Sequence, residues 1–213
     1  MKSILGGSLC YNLLNKRKVE YLFIYLNMQQ KGFTLIELLI VIAIIAVLSV
    51  VVVLTLNPAE LLRQARDSTR ISDMSSLNSA LSLYLADSGT FTTAGCFTVS
   101  STFGATCGVI GFPSALITGS STIATTSRAT NGTGWMFGVD FSSISAGAPF
   151  GILPVDPTNN ASYFYAFAVG GSSTYKLNSR MESTKYSTGT AAVGINDGGT
   201  SNTLYEVGNT LSL

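Results

Sequence analysis

The strongest pattern in the chain is an apolar run at residues 33–56, FTLIELLIVIAIIAVLSVVVVLTL, in which Glu37 is the single charged residue. As an α-helix it would extend for about 36 Å at 1.5 Å per residue. That length is enough to cross the hydrocarbon core of a bilayer, which is about 30 Å thick. A helix in a soluble core would carry a polar face, and this run has none. The pattern therefore predicts a membrane-spanning helix.

An amphipathic helix is predicted to follow over residues 57–89. Pro58 disfavours helical geometry at Asn57, so we expect a kink there rather than an end. The sequence Asp87-Ser88-Gly89 predicts the end of the helix, with Gly89 as its C-cap. Apolar residues recur between these points at spacings of three and four, which is typical of one helix face: Ile71, Met74, Leu77, Leu81, Tyr84 and Leu85.

Charged residues of both signs occupy other positions of this helix. They are Glu60, Arg63, Asp67, Arg70 and Asp73. Their spacing predicts pairs between Arg63 and Asp67 and between Arg70 and Asp73, each contributing about 0.2 to 0.5 kcal/mol. We expect these charges to form a solvated face.

Residues 90–213 are rich in Gly, Ser and Thr and contain short runs with a preference for β-structure. A connecting loop over residues 90–152 leads to predicted strands at 162–169, 174–181 and 204–207, with a weaker one at 135–141. Gly170-Gly171-Ser172 predicts a hairpin turn between the first two. The amphipathic helix has only this segment to pack against. We therefore predict an α+β fold, in which a long N-terminal helix, half transmembrane and half amphipathic, packs on a small antiparallel sheet.

Composition narrows the possible functions. Only 11% of the 213 residues are charged, against about 25% in typical soluble domains. The chain has no histidine, which excludes Ser-His-Asp and Cys-His nucleophile systems and metal sites built on histidine. A net charge of +1 without a basic stripe gives no indication of nucleic-acid binding. The remaining candidate acids, Asp140, Asp156 and Asp197, lie in no catalytic motif, so we expect no enzyme.

Basic residues before the apolar run predict its orientation. Lys16, Arg17, Lys18 and Lys31 precede it, so the positive-inside rule places the N-terminus in the cytoplasm and the chain after Leu56 outside. The run is longer than the core of a secretory signal peptide, and no small-x-small cleavage site follows it. We expect a single-pass anchor that stays attached.

Cys96 and Cys107 lie eleven residues apart in the part of the chain that is predicted to be exported. Disulfides form and persist in such compartments, whereas they are rare in the cytosol. We therefore predict that the two cysteines form a disulfide.

The octapeptide Lys31-Gly32-Phe33-Thr34-Leu35-Ile36-Glu37-Leu38, followed by the apolar run, resembles the N-terminal signature of type IV pilins and pseudopilins. The resemblance implies that a prepilin peptidase cuts between Gly32 and Phe33 and that Phe33 becomes the N-methylated first residue. Glu37 would then be the fifth residue of the mature chain and would act in assembly. Its carboxylate would pair with the Phe33 amine of a neighbouring subunit, which neutralises two charges in an apolar filament core.

The leader departs from the usual pattern of this family. Residues 1–32 precede the predicted cut, whereas Met28-Gln29-Gln30-Lys31-Gly32 alone would be an ordinary short leader. We therefore expect translation to start at Met28 and residues 1–27 to be a mis-assigned gene start. A true long leader, as in type IVb members, is the alternative.

The resemblance implies the pilin fold and the role of a structural subunit in a type IV pilus or a type II secretion-like pseudopilus. The expected partners are the prepilin peptidase, other pilin subunits, an assembly ATPase and a platform protein. The precursor would lie in the inner membrane, and the mature chain in an extracellular pilus or a periplasm-spanning pseudopilus. The alternative is a membrane-anchored extracellular binding module or hydrolase with a pilin-like anchor.

We expect no cofactor, with structural calcium as an open alternative because major pseudopilins bind calcium in a head loop. Asp156, Asn159 and Asn160, or Asp197 with Asn196, would present oxygen atoms to such an ion. Asp and Asn are also ordinary turn formers.

Overall fold

The computed structural model describes residues 32–99, 107–112, 122–171, 173–189 and 191–213. The chain divides into two compact units, Met1–Thr55 and Leu56–Leu213. Helix α1 (Leu35–Leu56) makes up most of the described part of the first unit. The predicted leader before Gly32, including the predicted start at Met28, lies outside the described residues, so both stay predictions.

The second unit begins with helix α2 (Pro58–Ser88), whose ends follow the sequence signals. Where the sequence predicts a kink, Asn57 is a single non-helical residue between α1 and α2. Asn57 adopts a left-handed backbone with φ of 41°, and its side chain accepts a hydrogen bond from the backbone N–H of Glu60. Proline fits the first helical position because its missing N–H would have no partner there. At the other end, Gly89 has φ of 78° and is the predicted C-cap.

In the part of the chain that the structure describes, five strands form one sheet in the order β2-β1-β3-β4-β5. Strands β1, β3, β4 and β5 pair antiparallel, and β2 joins β1 in parallel at one edge. This is the predicted α+β, pilin-like fold. The predicted strands at 162–169, 174–181 and 204–207 correspond to β3, β4 and β5, whereas β1 and β2 were not predicted. The strands are β1 (Gly95–Thr98), β2 (Thr122–Ala124), β3 (Tyr165–Gly171), β4 (Thr174–Ser179) and β5 (Tyr205–Gly208).

The core lies between α2 and one face of the sheet. The predicted apolar stripe of α2 is buried at Met74, Leu77, Leu81 and Tyr84, while Ile71 and Leu85 are only partly buried. Residues of the central strands join this stripe in one apolar cluster. Only alternate strand residues take part, because successive side chains of a strand point to opposite faces. These strand residues are Phe97, Tyr165, Phe167, Tyr175 and Leu177.

The predicted strand at 135–141 is wrong. Trp135 and Met136 are both fully buried, but they lie outside the strands of the sheet. The segment turns repeatedly instead, with positive φ at Gly132 and Gly138, and the β-pairing described there is limited to an isolated bridge between Asn131 and Asp140. The indole N–H of Trp135 donates to the Pro154 carbonyl at 3.0 Å, which satisfies its one polar group.

The prediction of a solvated charged face is wrong for Asp67 and Arg70, which are fully buried. The predicted pairs also differ, since Arg63 contacts Glu60 at 3.7 Å and Asp73 accepts a hydrogen bond from the Tyr165 hydroxyl at 2.7 Å. The physical reason is helical spacing: positions 67 and 70 continue the stripe of positions 74, 77 and 81.

Asp67 and Arg70 belong to a network of charged side chains, here called the Arg70 cluster: Asp67, Arg70, Asp156 and Glu182. The Arg70 guanidinium donates to both oxygens of Asp156 and to Asp67, each at 2.7 Å, and also to Glu182. Burial alone would raise the pKa of Glu182, but hydrogen bonds from Arg66, Thr158 and Arg70 outweigh it and hold the pKa at about 2.

Asp67 also accepts backbone hydrogen bonds from Glu182 and Ser183, at 2.9 and 2.8 Å. These contacts attach the segment before the short helix α3 (Thr184–Ser187) to α2. A second short helix, α4 (Val193–Asn196), precedes β5.

Candidate functional site

The predicted cleavage site lies just before α1 and is exposed among the described residues. Phe33 is 90% exposed. No described atom lies within 4 Å of the position that a Cβ would occupy at Gly32. An extended, unobstructed backbone at glycine is what a peptidase cleft needs in order to bind the bond that it cuts.

Thr34 and Glu37 form a reciprocal cap at the start of α1. The Thr34 hydroxyl accepts a hydrogen bond from the backbone N–H of Glu37 at 3.2 Å. In return, Glu37 Oε2 accepts from the backbone N–H and the hydroxyl of Thr34, both at 2.9 Å. This is a capping box, and its signature is a Thr followed three residues later by Glu before an apolar run. The cap was not predicted, although the signature is readable in Thr34-Leu35-Ile36-Glu37.

The cap leaves one oxygen of Glu37 unused. All hydrogen bonds described for this carboxylate go to Oε2, and Oε1 has no partner among the described residues. The negative charge is placed at a helix N-terminus, where the helix dipole favours it. The start of α1 thus presents an oriented carboxylate oxygen that can accept a hydrogen bond from a cation.

Helix α1 exposes apolar side chains along its whole length. Its segment Leu35–Val53 has 19 residues, a mean hydropathy of 3.2 and no buried share, so it is long and apolar enough to cross a membrane. The hydroxyls of Ser49 and Thr55 donate to the carbonyls of Ile45 and Val51, at 2.7 and 3.0 Å. Because these polar groups are satisfied within the helix, they are compatible with a hydrocarbon environment.

Residues 27–53 match the family model described as the prokaryotic N-terminal methylation motif. The match includes the end of the predicted leader, the predicted cleavage site, the capping box and most of α1. It shows a type IV pilin-like prepilin signal and supports a precursor of the type IV pilin and pseudopilin class.

The same motif implies processing by a prepilin peptidase, assembly of the pilin type and a membrane-anchored precursor. No curated protein sequence and no solved structure matches the chain significantly.

Cys96 and Cys107 form a disulfide in the structure, with their Cα atoms 5.7 Å apart. Both residues are buried. The bond ties β1 to the 3-10 turn Cys107–Ile110, which lies on the sheet face opposite α2.

Three of the residues considered for calcium, Asp156, Asn160 and Asp197, accept hydrogen bonds from other groups of the chain. Asp156 binds the Arg70 guanidinium with both carboxylate oxygens, so a cation already occupies this position. Asn160 accepts two backbone N–H groups in a turn, and Asp197 accepts those of Gly199 and Glu206. Within the described ranges, no three Asp, Glu or Cys side chains are grouped to hold a metal ion. These contacts favour the interpretation of Asp156 and Asp197 as structural residues.

Proposed function

We propose that the chain is a structural subunit of a type IV pilus or a type II secretion-like pseudopilus. It is cleaved after Gly32, N-methylated at Phe33 and polymerised through α1. The observation that carries this proposal is the combination of the methylation motif with a fully exposed apolar helix that begins at an oriented carboxylate.

The exposed apolar side chains of α1 support a helix that lies first in lipid and later against the helices of other subunits. Burial of apolar surface is favourable at about 25 cal/mol per Å², so α1 requires either lipid or the helices of other subunits around it. In this proposal it lies in the inner membrane before assembly and in the filament core afterwards. An assembly ATPase and a platform protein would move it from one to the other.

The open oxygen of Glu37 supports a role in assembly. Cleavage after Gly32 would create a cationic amine at Phe33, and Glu37 Oε1 would accept a hydrogen bond from that amine in a neighbouring subunit. Because Oε2 is held by Thr34, the carboxylate is oriented before the neighbour arrives, which lowers the entropic cost of pairing. In an apolar core such a pair forms at one axial offset, so it also sets the stagger between subunits.

In this proposal the chain has no catalytic activity of its own. The three acids considered at first for catalysis have local partners: Asp140 accepts the N–H of Ser142, Asp156 binds Arg70, and Asp197 accepts backbone N–H groups. The same contacts give no support to a membrane-anchored hydrolase.

Glu37→Gln tests the proposal sharply, because glutamine preserves the capping box while it removes the charge. We expect normal membrane insertion and cleavage, with the methylated Phe33 terminus seen by mass spectrometry, but at least about tenfold fewer filaments in electron micrographs and in the sheared fraction. Ser49→Ala, a change on the same helix that removes no charge, is the matched control and should assemble normally.

Normal filaments from Glu37→Gln would contradict the role of the charge pair. An uncleaved chain in cells with an active prepilin peptidase would contradict the proposed processing. A processed chain that forms no filament or pseudopilus under any conditions would favour the anchored binding module.

A further inference from the structure

Two segments of the second unit carry the pattern Asn-x-Ser/Thr, in which x is not proline: Asn131-Gly132-Thr133 and Asn160-Ala161-Ser162. In exported proteins this pattern marks asparagines that accept an oligosaccharide on the side-chain nitrogen. The pattern is short and also arises by chance. The structure around each asparagine therefore has to decide whether it is suited to be an acceptor.

The first pattern lies at the surface of the second unit. Asn131 and Thr133 are both exposed. Between them, Gly132 has φ of 81°, and a Cβ placed there would meet its nearest atom, in the Asp140 side chain, at 3.7 Å. An acceptor asparagine has to enter the active site of the enzyme that modifies it, and the described residues around this tripeptide leave it accessible.

The contacts with Thr133 determine the orientation of the Asn131 amide. Asn131 Oδ1 accepts the hydroxyl of Thr133 at 2.7 Å and its backbone N–H at 3.3 Å. A backbone N–H can only donate, so Oδ1 must face Thr133 and Nδ2 must point the other way. Among the described residues Nδ2 has no hydrogen-bond partner. The nitrogen that would receive a sugar is thus unoccupied on an exposed side chain.

The loop that carries this tripeptide is anchored on both sides. The backbone N–H of Phe141 donates to the Thr130 carbonyl at 2.8 Å, and that of Gly138 donates to the Gly132 carbonyl at 3.0 Å. The side chains of Trp135 and Phe141 are fully buried in the core. The exposure of Asn131 therefore belongs to the folded state and does not require local unfolding.

The second pattern differs from the first in one contact. Asn160 Oδ1 accepts the backbone N–H groups of Ser162 and Tyr163, at 2.8 and 3.0 Å. The Ser162 hydroxyl makes no hydrogen bond to it among the described residues. Of the two asparagines, only Asn131 has the hydroxyl of its own pattern in contact with its amide. This contact favours Asn131 as the acceptor.

We propose that Asn131 is the attachment site of an N-linked oligosaccharide. The donor is an oligosaccharide whose C1 is esterified to the phosphate of a membrane lipid, and a membrane-bound transferase catalyses the step. Asn131 Nδ2 forms a bond to C1 while the bond from C1 to the phosphate oxygen breaks. The lipid phosphate leaves with the electron pair, and one amide proton passes to a base of the transferase. Asn131 Oδ1 takes no part in the new bond, so it keeps its hydrogen bonds to Thr133.

This inference rests on the proposed function in one respect, since it requires the second unit to lie outside the cytoplasm. It does not require assembly, so Glu37→Gln should carry the glycan although we expect it to form few filaments. A wild-type chain that forms filaments without a glycan overturns this inference alone. A glycosylated chain that never assembles contradicts only the proposed function.

The test is mass spectrometry of the wild-type chain, purified from the cells that naturally produce it. Asp140 lies between the two patterns, so an endoproteinase that cuts before aspartate separates Asn131 from Asn160. Electron-transfer fragmentation, which leaves the sugar bonds intact, then assigns the glycan to a residue. We expect a mass increase of whole sugar residues on Asn131.

Three variants separate recognition of the pattern from other effects. Asn131→Gln should lose this glycan completely. Thr133→Ala should lower the occupancy of Asn131 at least about tenfold, whereas Thr133→Ser, which keeps the hydroxyl, should retain more than about half of it. The matched control is Asn202→Gln, because Asn202 is exposed and lies outside the pattern, and it should carry as much sugar as the wild-type chain. Circular dichroism of each variant verifies the fold.

Absence of sugar from Asn131 in the wild-type chain overturns the proposal. A glycan on Asn160 alone overturns it as well, whereas sugar on Asn131 supports it whether or not Asn160 is also modified. A glycan that stays in Asn131→Gln and is assigned to the Thr133 hydroxyl would identify an O-linked site instead. Equal occupancy in Thr133→Ala and the wild-type chain would show that the pattern is not what the transferase recognises.

Discussion

Replacement of Arg70 by methionine should be one of the most damaging single changes in the second unit. Methionine retains much of the volume of the aliphatic stem but supplies no donor. The carboxylates of Asp67, Asp156 and Glu182 would then be left without the cation that joins them. Asp67 and Asp156 are almost completely buried, so solvent cannot replace the lost hydrogen bonds.

The expected loss is about 3 to 5 kcal/mol of unfolding free energy at neutral pH, which is the usual cost of removing one partner from a buried ion pair. For a chain of this size that is a decrease in Tm of roughly 10 °C or more. Arg70 itself stays charged throughout, because its hydrogen bonds to Asp156 and Glu182 outweigh burial and raise its pKa.

The loss should depend on pH. In the wild-type chain the pKa of Glu182 is lowered from 4.5 to about 2. A lowered carboxyl pKa contributes stability above the unfolded value, and this contribution is lost as the pH falls from 4.5 towards 2. Without Arg70 the Glu182 carboxylate loses one of the hydrogen bonds that lower its pKa, so it takes up a proton more readily. The difference between the wild-type chain and Arg70→Met should therefore narrow below about pH 4.5.

Chemical denaturation of the full chain in micelles, followed by near-ultraviolet circular dichroism, measures both effects. Arg63→Met is the matched control, because Arg63 is 52% exposed and its contact with Glu60 is 3.7 Å long. That variant should lose less than about 1 kcal/mol. If Arg70→Met and Arg63→Met were equally stable at pH 7, the Arg70 cluster would not stabilise the fold as we infer.

Three further changes test separate contacts. Glu182→Gln should lower the unfolding free energy by about 1 to 3 kcal/mol at pH 7 and have little effect near pH 2, and a pH-independent loss would contradict the depressed pKa. The double change of Cys96→Ser with Cys107→Ser should cost about 2 to 3 kcal/mol and make thermal unfolding insensitive to reductant, whereas an unchanged Tm would show that the disulfide does not stabilise the second unit. Asn57→Ala should cost about 1 to 2 kcal/mol in thermal melts, because alanine provides no cap and disfavours φ of 41°, while Asn57→Gly should be nearer neutral.

The helical part of the fold follows from local signals. The ends and the buried face of α2 are set by signals between residues close together in the sequence, so they can be predicted. These signals are Pro58 after Asn57, the apolar spacing from Met74 to Tyr84, and Gly89 as the C-cap. The same spacing places Asp67 and Arg70 on the buried stripe. We predicted solvent for them because charged residues are rarely buried without partners, and their distant partners lie 86 or more residues away along the chain.

The non-local part of the fold could be predicted only in part. Strands β3 to β5 lie in β-favouring runs that are set off by turn residues, and they were predicted. Strand β1 was missed because GCFT is only four residues long and buried throughout, so it shows no alternation. At 135–141 the β-favouring aromatic residues suggested a strand, but Gly132 and Gly138 turn the chain, and buried contacts to Pro154 decide the conformation.

The capping box changes how Glu37 is understood. Judged by its position alone, Glu37 is an isolated acid at the edge of an apolar run. Placing a charged side chain in the membrane costs on the order of 2.5 to 3.5 kcal/mol at the centre and less near the surface. In the structure Oε2 is satisfied by Thr34 before any neighbour is present, and Oε1 stays open. In the proposed function one residue would meet two requirements in turn: it caps α1 in the membrane-anchored precursor, and its open oxygen would serve as an acceptor in assembly. A glutamine at this position still caps α1 but carries no negative charge. Glu37→Gln is therefore expected to insert into the membrane normally and to polymerise poorly.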